Sequence, residues 1–255
     1  ASRGLGDVYK RQQRFMPNRL MFIGCQSAAE RWRTCCMKLW SNIKSNVFSF
    51  AFAPLVMAVL PLLMRVRLVG RDNAQQYRRL TQTRGGLVLC NHTYYLDGTF
   101  ALYALWPRRL WYTTQAENLS LPIAGQILSF WDAVGIERGK NGQKKFNDDM
   151  GKLLREGKSI VLYPEGNLRL FEKELQPFHK GAFHLAVREQ VPILPIVAIP
   201  LPRRWWGLRR SMRAEVLPPV VPPAISVDDG GYEAAVEELR DKVFEMMSVR
   251  MAAEG

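Results

Sequence analysis

Downstream of residue 85 the large apolar residues arrive in short unbroken blocks. GLVLC occupies 86–90, SIVLY 159–163 and VPILPIVAI 191–199, with further blocks at 110–114 and 133–136. Blocks of this length without polar alternation suit strands buried on both faces, as parallel strands are when helices cover them. The stretches between them, 143–155 and 181–188, have helical spacing, and residues 232–251 carry Val236, Leu239, Val243 and Met247 on one stripe. One more strand is expected at 212–217, and the proline-rich 218–225 reads as a loop. The expected fold is therefore α/β, an αβ sandwich with a largely parallel central sheet. With 255 residues, 47% apolar and 23% charged, the chain can bury one core domain with an appendage. It is too apolar for a disordered or low-complexity polymer.

The appendage precedes the blocks. Residues 47–64, VFSFAFAPLVMAVLPLLM, run for eighteen positions without a charge between Lys44 and Arg65. As a helix they would reach roughly 27 Å, the short end for a bilayer span, and Pro54 and Pro61 interrupt them. Upstream, residues 28–43 mix Trp32, Leu39, Trp40 and Ile43 with charges at helical spacing. Cations flank the apolar run on both sides, so the pair is expected to dip into the membrane interface from one face rather than cross it. A buried soluble helix is the alternative. The domain boundaries read as 1–12, 13–66 for the membrane-associated helices and 67–255 for the α/β domain. Residues 7–12, DVYKRQ, back-translate as GATGTGTATAAGAGACAG, a transposase adapter, so 1–12 are expected to be adapter-derived and Met16 is a candidate start.

The net charge of +13 becomes +11 without that segment, so anionic partners are expected: nucleic acid, a membrane surface or phosphorylated substrates. Cys25, Cys35, Cys36 and Cys90 form no CxxC pair, which argues against zinc or a disulfide framework. No metal site is expected.

Three strand ends carry polar groups. After GLVLC come Asn91-His92-Thr93-Tyr94-Tyr95-Leu96-Asp97, placing His92 where open α/β sheets bind ligands. Asp97 lies five positions on, so it can meet His92 only across a turn. Two readings stay open there. Asp97 either fixes the imidazole tautomer of a general base, or is an ordinary helix N-cap beside a surface histidine. Tyr163-Pro164-Glu165-Gly166-Asn167-Leu168-Arg169 turns out of the next strand, and Val134-Gly135-Ile136-Glu137-Arg138 ends another. Lys180-Gly181 opens a helix and adds a cation beside exposed amides.

In this order and at these separations, the fragments resemble the glycerolipid acyltransferase family, best known for 1-acyl-glycerol-3-phosphate acyltransferases. NHTYYLD is similar to its Asn-His-x4-Asp block, VGIER to the second, LYPEGNLR to Phe-Pro-Glu-Gly-Thr-Arg, and VPILPI to the fourth. The resemblance implies O-acyl transfer from acyl-CoA or an acyl carrier protein thioester to the free hydroxyl of lysophosphatidic acid, giving phosphatidic acid, with no cofactor beyond the donor. His92 would be the general base and Asp97 its orienting partner. Arg138, Arg169, Lys180 and the turn Glu165-Gly166-Asn167 would hold the acceptor's phosphate, Glu165 by orienting a cation or the hydroxyl. Asn167 replaces the family's Thr, and the following Arg is displaced to Arg169. Another lysophospholipid or a lyso-ornithine lipid is thus an alternative acceptor, and a non-catalytic module binding anionic membranes is an alternative function.

Residues 203–210, RRWWGLRR, interleave cations with indoles. Such a segment can stack on nucleic acid or sit at a bilayer. Beside an apolar anchor the bilayer is favoured. Expected partners are the acyl thioester donor, a lysophospholipid acceptor and an anionic membrane surface, with no nucleic acid. The expected location is the inner (cytoplasmic) membrane, with the catalytic domain on the cytoplasmic face.

Overall fold

The computed structural model describes residues 65–122, 131–136, 139–201 and 211–253, together with 54, 55, 57–59, 125 and 128. Arg138, RRWWGLRR and the adapter-like segment lie outside the described residues, as does nearly all of the expected membrane helical pair. Among the described residues no helix is long and apolar enough to cross a membrane.

The apolar blocks become strands: β2 (Gly86–Cys90), β3 (Leu110–Gln115), β4 (Ala133–Ile136), β5 (Ser159–Leu162) and β6 (Ile193–Pro200). They join β1 (Arg65–Val69) and β7 (Ser211–Val216) in one sheet of order β1-β7-β6-β2-β5-β3-β4. Neighbours are parallel except β6 and β7. Strands β6, β2, β5, β3 and β4 therefore end at one edge, and the two outer strands on the other flank run the opposite way.

The helices are α1 (Arg71–Leu80), α2 (Gly98–Leu105), α3 (Lys140–Arg155), α4 (Gly181–Glu189) and α5 (Tyr232–Ala252), with a 3-10 turn at Ala116–Ser120. Period-two alternation along the buried strands divides the core into two layers. Leu87 and Leu89 of β2 pack with Met150 and Leu154 of α3, Phe183 of α4 and the α5 stripe. Val88 and Cys90 face the other way, onto Tyr77 of α1 and Phe100 and Leu105 of α2. Helix α5 lays Val236, Leu239, Val243, Met247 and Met251 against the sheet, the stripe expected from its spacing.

β1 is an edge strand whose Arg65 and Arg67 are exposed, a charge pattern that discourages pairing with another chain. It starts before the residue 66/67 boundary expected from the sequence. Both β1 and α1 escape the sequence reading for one reason. Each presents few buried apolar groups, only Ala74 and Tyr77 in α1, so their periodicity is thin.

Leu89 is wholly buried in a strand paired on both sides, whereas Val249 on α5 is exposed. Leu89→Ala is expected to cost about 2–5 kcal/mol in urea unfolding, and Val249→Ala to stay within about 0.5 kcal/mol of the parent.

Candidate active site

The chain leaves β2 through Asn91, which is wholly buried. Its carboxamide Oδ1 accepts the Ala198 N–H at 2.7 Å, and its Nδ2 donates to the Ala198 carbonyl at 2.9 Å. His92 follows at the rim, its side chain about one quarter exposed.

Asp97 occupies the N-cap position of α2, yet its carboxylate makes no cap hydrogen bond. The side chain turns back. Oδ2 accepts the backbone N–H groups of Thr93 at 2.7 Å and Tyr94 at 2.8 Å, and lies 3.3 Å from His92 Nδ1. Of the two geometries open to the sequence, this is the one in which histidine and aspartate meet across a turn. Burial pushes the Asp97 carboxyl above its ordinary range, while the His92 contact and the two amides favour its ionised form. When ionised it can only accept, so Nδ1 carries the proton, and in the neutral imidazole Nε2 keeps the lone pair. The imidazole also stacks on Tyr163, centroids 4.2 Å apart and planes 26° apart. A carboxylate and an aromatic face thus hold the ring on two sides.

The turn after β5 is laced to the same place by main-chain bonds. The Arg169 N–H donates to the His92 carbonyl at 3.0 Å and the Phe171 N–H to the Thr93 carbonyl at 2.9 Å. The turn needs Gly166, whose φ is +74° and whose added Cβ would lie 3.1 Å from the His179 ring. Glu165 is buried, and burial together with the nearby Asp97 charge pushes its carboxyl up to about 7. The backbone N–H groups of His92 and Gln176, with the Arg169 charge, pull the other way. Thr93 Oγ1, Asp97 Oδ1 and Glu165 Oε1 are buried with no hydrogen-bond partner among the described residues. Orphan oxygens of this kind are few in folded proteins, and three of them gather here.

The structure therefore brings His92, Asp97, Glu165, Gly166 and Arg169 together. Asn167 is exposed on the same turn. Arg169 also lies 4.0 Å from Glu172. Lys180 follows His179, whose N–H donates to the Pro164 carbonyl at 2.8 Å, and its ammonium pairs with Glu237 of α5. The strand leading toward residue 138 is entered through Asp132, held at φ +52° by a two-pronged contact from Arg109 at 2.5 and 2.6 Å. Sequence reasoning gave no role to Asn91 or Tyr163. Asn91 stood inside the quoted block, but its partner Ala198 is 107 positions away, and nothing local marks Tyr163 as a stacking face. Among the described residues no cluster of His, Cys, Asp or Glu could hold a metal ion.

A family profile described as Acyltransferase matches residues 65–199, and the chain belongs to that family. Over 129 residues it is 35% identical to human 1-acyl-sn-glycerol-3-phosphate acyltransferase beta, covering 50% of this chain and 46% of the relative. Over 197 residues it is 25% identical to 1-acyl-sn-glycerol-3-phosphate acyltransferase of Saccharomyces cerevisiae, covering 74% and 61%. The chain thus spans about half to three fifths of these curated relatives. The fold is similar to the crystal structure of the 1-acyl-sn-glycerophosphate (LPA) acyltransferase PlsC from Thermotoga maritima. That likeness has a TM-score of 0.52 and 18% identity, with 97% of this chain and 87% of that one covered.

Two outcomes follow from the Glu165 turn. Gly166→Ala forces a left-handed Cβ against His179 and is expected to lower stability by about 1–2 kcal/mol in thermal or urea unfolding. Glu165 holds its proton more tightly folded than unfolded, so ionising it in the folded chain costs stability. That cost is absent below about pH 4.5, grows as pH rises and is complete above about pH 7. Glu165→Gln keeps an acceptor for the two amides and removes the charge. Urea unfolding is therefore expected to show the variant gaining about 1–3 kcal/mol on the parent between pH 5 and pH 8. Equal pH dependence in both proteins would rule out a buried, titrating Glu165.

Proposed function

We propose that the chain is a membrane-associated acyltransferase. It moves a fatty acyl group from an acyl-CoA or acyl carrier protein thioester to the free hydroxyl of lysophosphatidic acid, giving phosphatidic acid. The observation that carries this reading is the His92–Asp97 contact at the carboxyl end of β2, which leaves Nε2 able to take a proton.

In the reaction, Nε2 removes the hydroxyl proton as the acceptor oxygen attacks the thioester carbonyl. The tetrahedral intermediate collapses with departure of the thiolate, and the imidazolium returns the proton to sulfur. The products are an ester and a free thiol, and His92 regains its starting state. Asp97 holds Nδ1–H throughout and offsets the charge on the ring. No acyl-enzyme is needed. Cys90, the thiol nearest in sequence, is wholly buried, and burial with the Asp97 and Glu165 charges pushes its ionisation well up, which disfavours the nucleophilic thiolate.

The acceptor's phosphate falls to Arg138 and Arg169 with the Glu165-Gly166-Asn167 turn, since guanidinium forks match its oxygens. Glu165 orients Arg169, whose charge already acts on it. Lys180 adds a cation to the same proposal, since its surface pair with Glu237 is weak enough to exchange for a phosphate. The sequence Asn167-Leu168-Arg169, which departs from the family pattern, favours a second reading of the acceptor as another lysophospholipid or a lyso-ornithine lipid. Membrane attachment through residues 13–66 and RRWWGLRR, at the cytoplasmic face of the inner membrane, belongs to the same proposal.

Purified protein given labelled acyl thioester and a panel of lysolipids should form diacyl product, identified by mass spectrometry. His92→Ala should lower turnover by roughly 10²–10⁴-fold with an unchanged circular dichroism melt. Retained turnover in that variant would remove His92 as the base, and vesicle binding without thioester consumption across the panel would leave only a lipid-binding module.

A further inference from the structure

The role of Asn91 follows from the register of the sheet. β2 and β6 are parallel and pair Leu87 with Ile193, Val88 with Leu194, Leu89 with Pro195 and Cys90 with Ile196. Continued by two residues, the ladder would set residue 92 opposite Ala198. In a parallel ladder that rung consists of two bonds. The Ala198 N–H would go to the main-chain carbonyl of Asn91, and the Ala198 carbonyl would receive the Thr93 N–H.

Neither bond is the one observed. The Asn91 carboxamide takes both places, its Oδ1 accepting the Ala198 N–H and its Nδ2 donating to the Ala198 carbonyl. A carboxamide has the donor and acceptor of a peptide group, so it closes the sheet without the backbone. The Thr93 N–H, released from the ladder, donates instead to Asp97 Oδ2 at 2.7 Å. The same oxygen faces His92 Nδ1. The carbonyls of His92 and Thr93 are turned to Arg169 and Phe171 on the neighbouring loop.

We propose that Asn91 is the positioning residue of this site: its side chain completes the β2–β6 ladder in place of the backbone, and so frees the Thr93 amide to hold Asp97 against His92. Asn91 acts through Asp97 and need not touch a substrate. Aspartate at this position would still accept the Ala198 N–H but could not donate to the Ala198 carbonyl. Serine is too short to do both. In either variant the Thr93 N–H becomes the nearest donor for the Ala198 carbonyl, and the ladder can extend at the expense of the Asp97 cradle.

The consequence for turnover rests on the acyl-transfer reading, but the geometry can be tested without it. The experiment compares the full-length parent with Asn91→Ser and Asn91→Asp. One readout is the low-field imidazole Nδ1–H resonance of His92, assigned by its loss in His92→Ala; the other is steady-state kinetics with acyl-CoA and lysophosphatidic acid. The parent should show the resonance, and both variants should lose or strongly broaden it. Their kcat should fall on the order of 10²-fold, with KM for each substrate within about twofold of the parent. A residue that only stabilises the fold would lower the melting temperature and leave the resonance and kcat of the folded protein intact. That result in either variant overturns the proposal. If Asn91→Ser does not fold, Asn91→Asp, which keeps the shape and one bond, decides by the same readouts. A parent that shows the resonance but turns over no lysolipid refutes the acyl-transfer reading, while the variant resonances still judge the positioning role.

Discussion

Everything distinctive about the site hangs on one buried carboxylate oxygen. Asp97 Oδ2 gathers two backbone amides and faces an imidazole nitrogen, all within 3.3 Å. A carboxylate taken out of water costs several kcal/mol unless charge-assisted bonds offset it. Here the offsetting donors are main-chain groups of the very loop that carries His92. The loop cannot relax without stranding a charge, and the charge cannot move without losing the loop, so a mobile connection becomes a rigid holder for the ring.

The sheet makes that arrangement possible by ending five strands at one edge. β2 and β5 are direct neighbours, so the segments that leave them start side by side. The turn out of β5 then runs along the turn out of β2, bonded at His92 and Thr93. The two layers beneath, one under α3, α4 and α5 and the other under α1 and α2, hold the strand ends at fixed spacing. The reversal between β6 and β7 lies beside this edge, because Leu201 N–H bonds to the Ser211 carbonyl where β6 finishes.

Much of the fold was legible because buried parallel strands leave uninterrupted apolar blocks. GLVLC, AVGI and SIVL are read almost residue for residue, and the α5 stripe is read from its spacing. β1 and α1 were not, since RVRLV alternates with arginine and α1 buries only two side chains. The same split holds at the site. His92 and Asp97 are five residues apart, and the only local problem was geometric, solved by a turn. The roles of Asn91 and Tyr163 depend on a strand more than one hundred residues away and on a ring stacked across two strand ends. Long-range register of that kind has no signature in a single sequence. Lys180 shows a further limit of the same kind, because its pairing with Glu237 on α5 joins residues 57 positions apart.

The lacing between the two loops has a consequence for how such a protein can diversify. Both bonds run from main chain to main chain, donated by Arg169 and Phe171 and accepted by His92 and Thr93. No side chain at 167, 168 or 169 is required to keep them. Residues on that turn can be exchanged by descent without loosening the histidine, provided glycine remains at 166 to allow the left-handed bend. Asn167-Leu168-Arg169 is then one wording among many that the same frame tolerates. Under the acyl-transfer proposal, headgroup preference and proton transfer would then be separately heritable traits of neighbouring atoms.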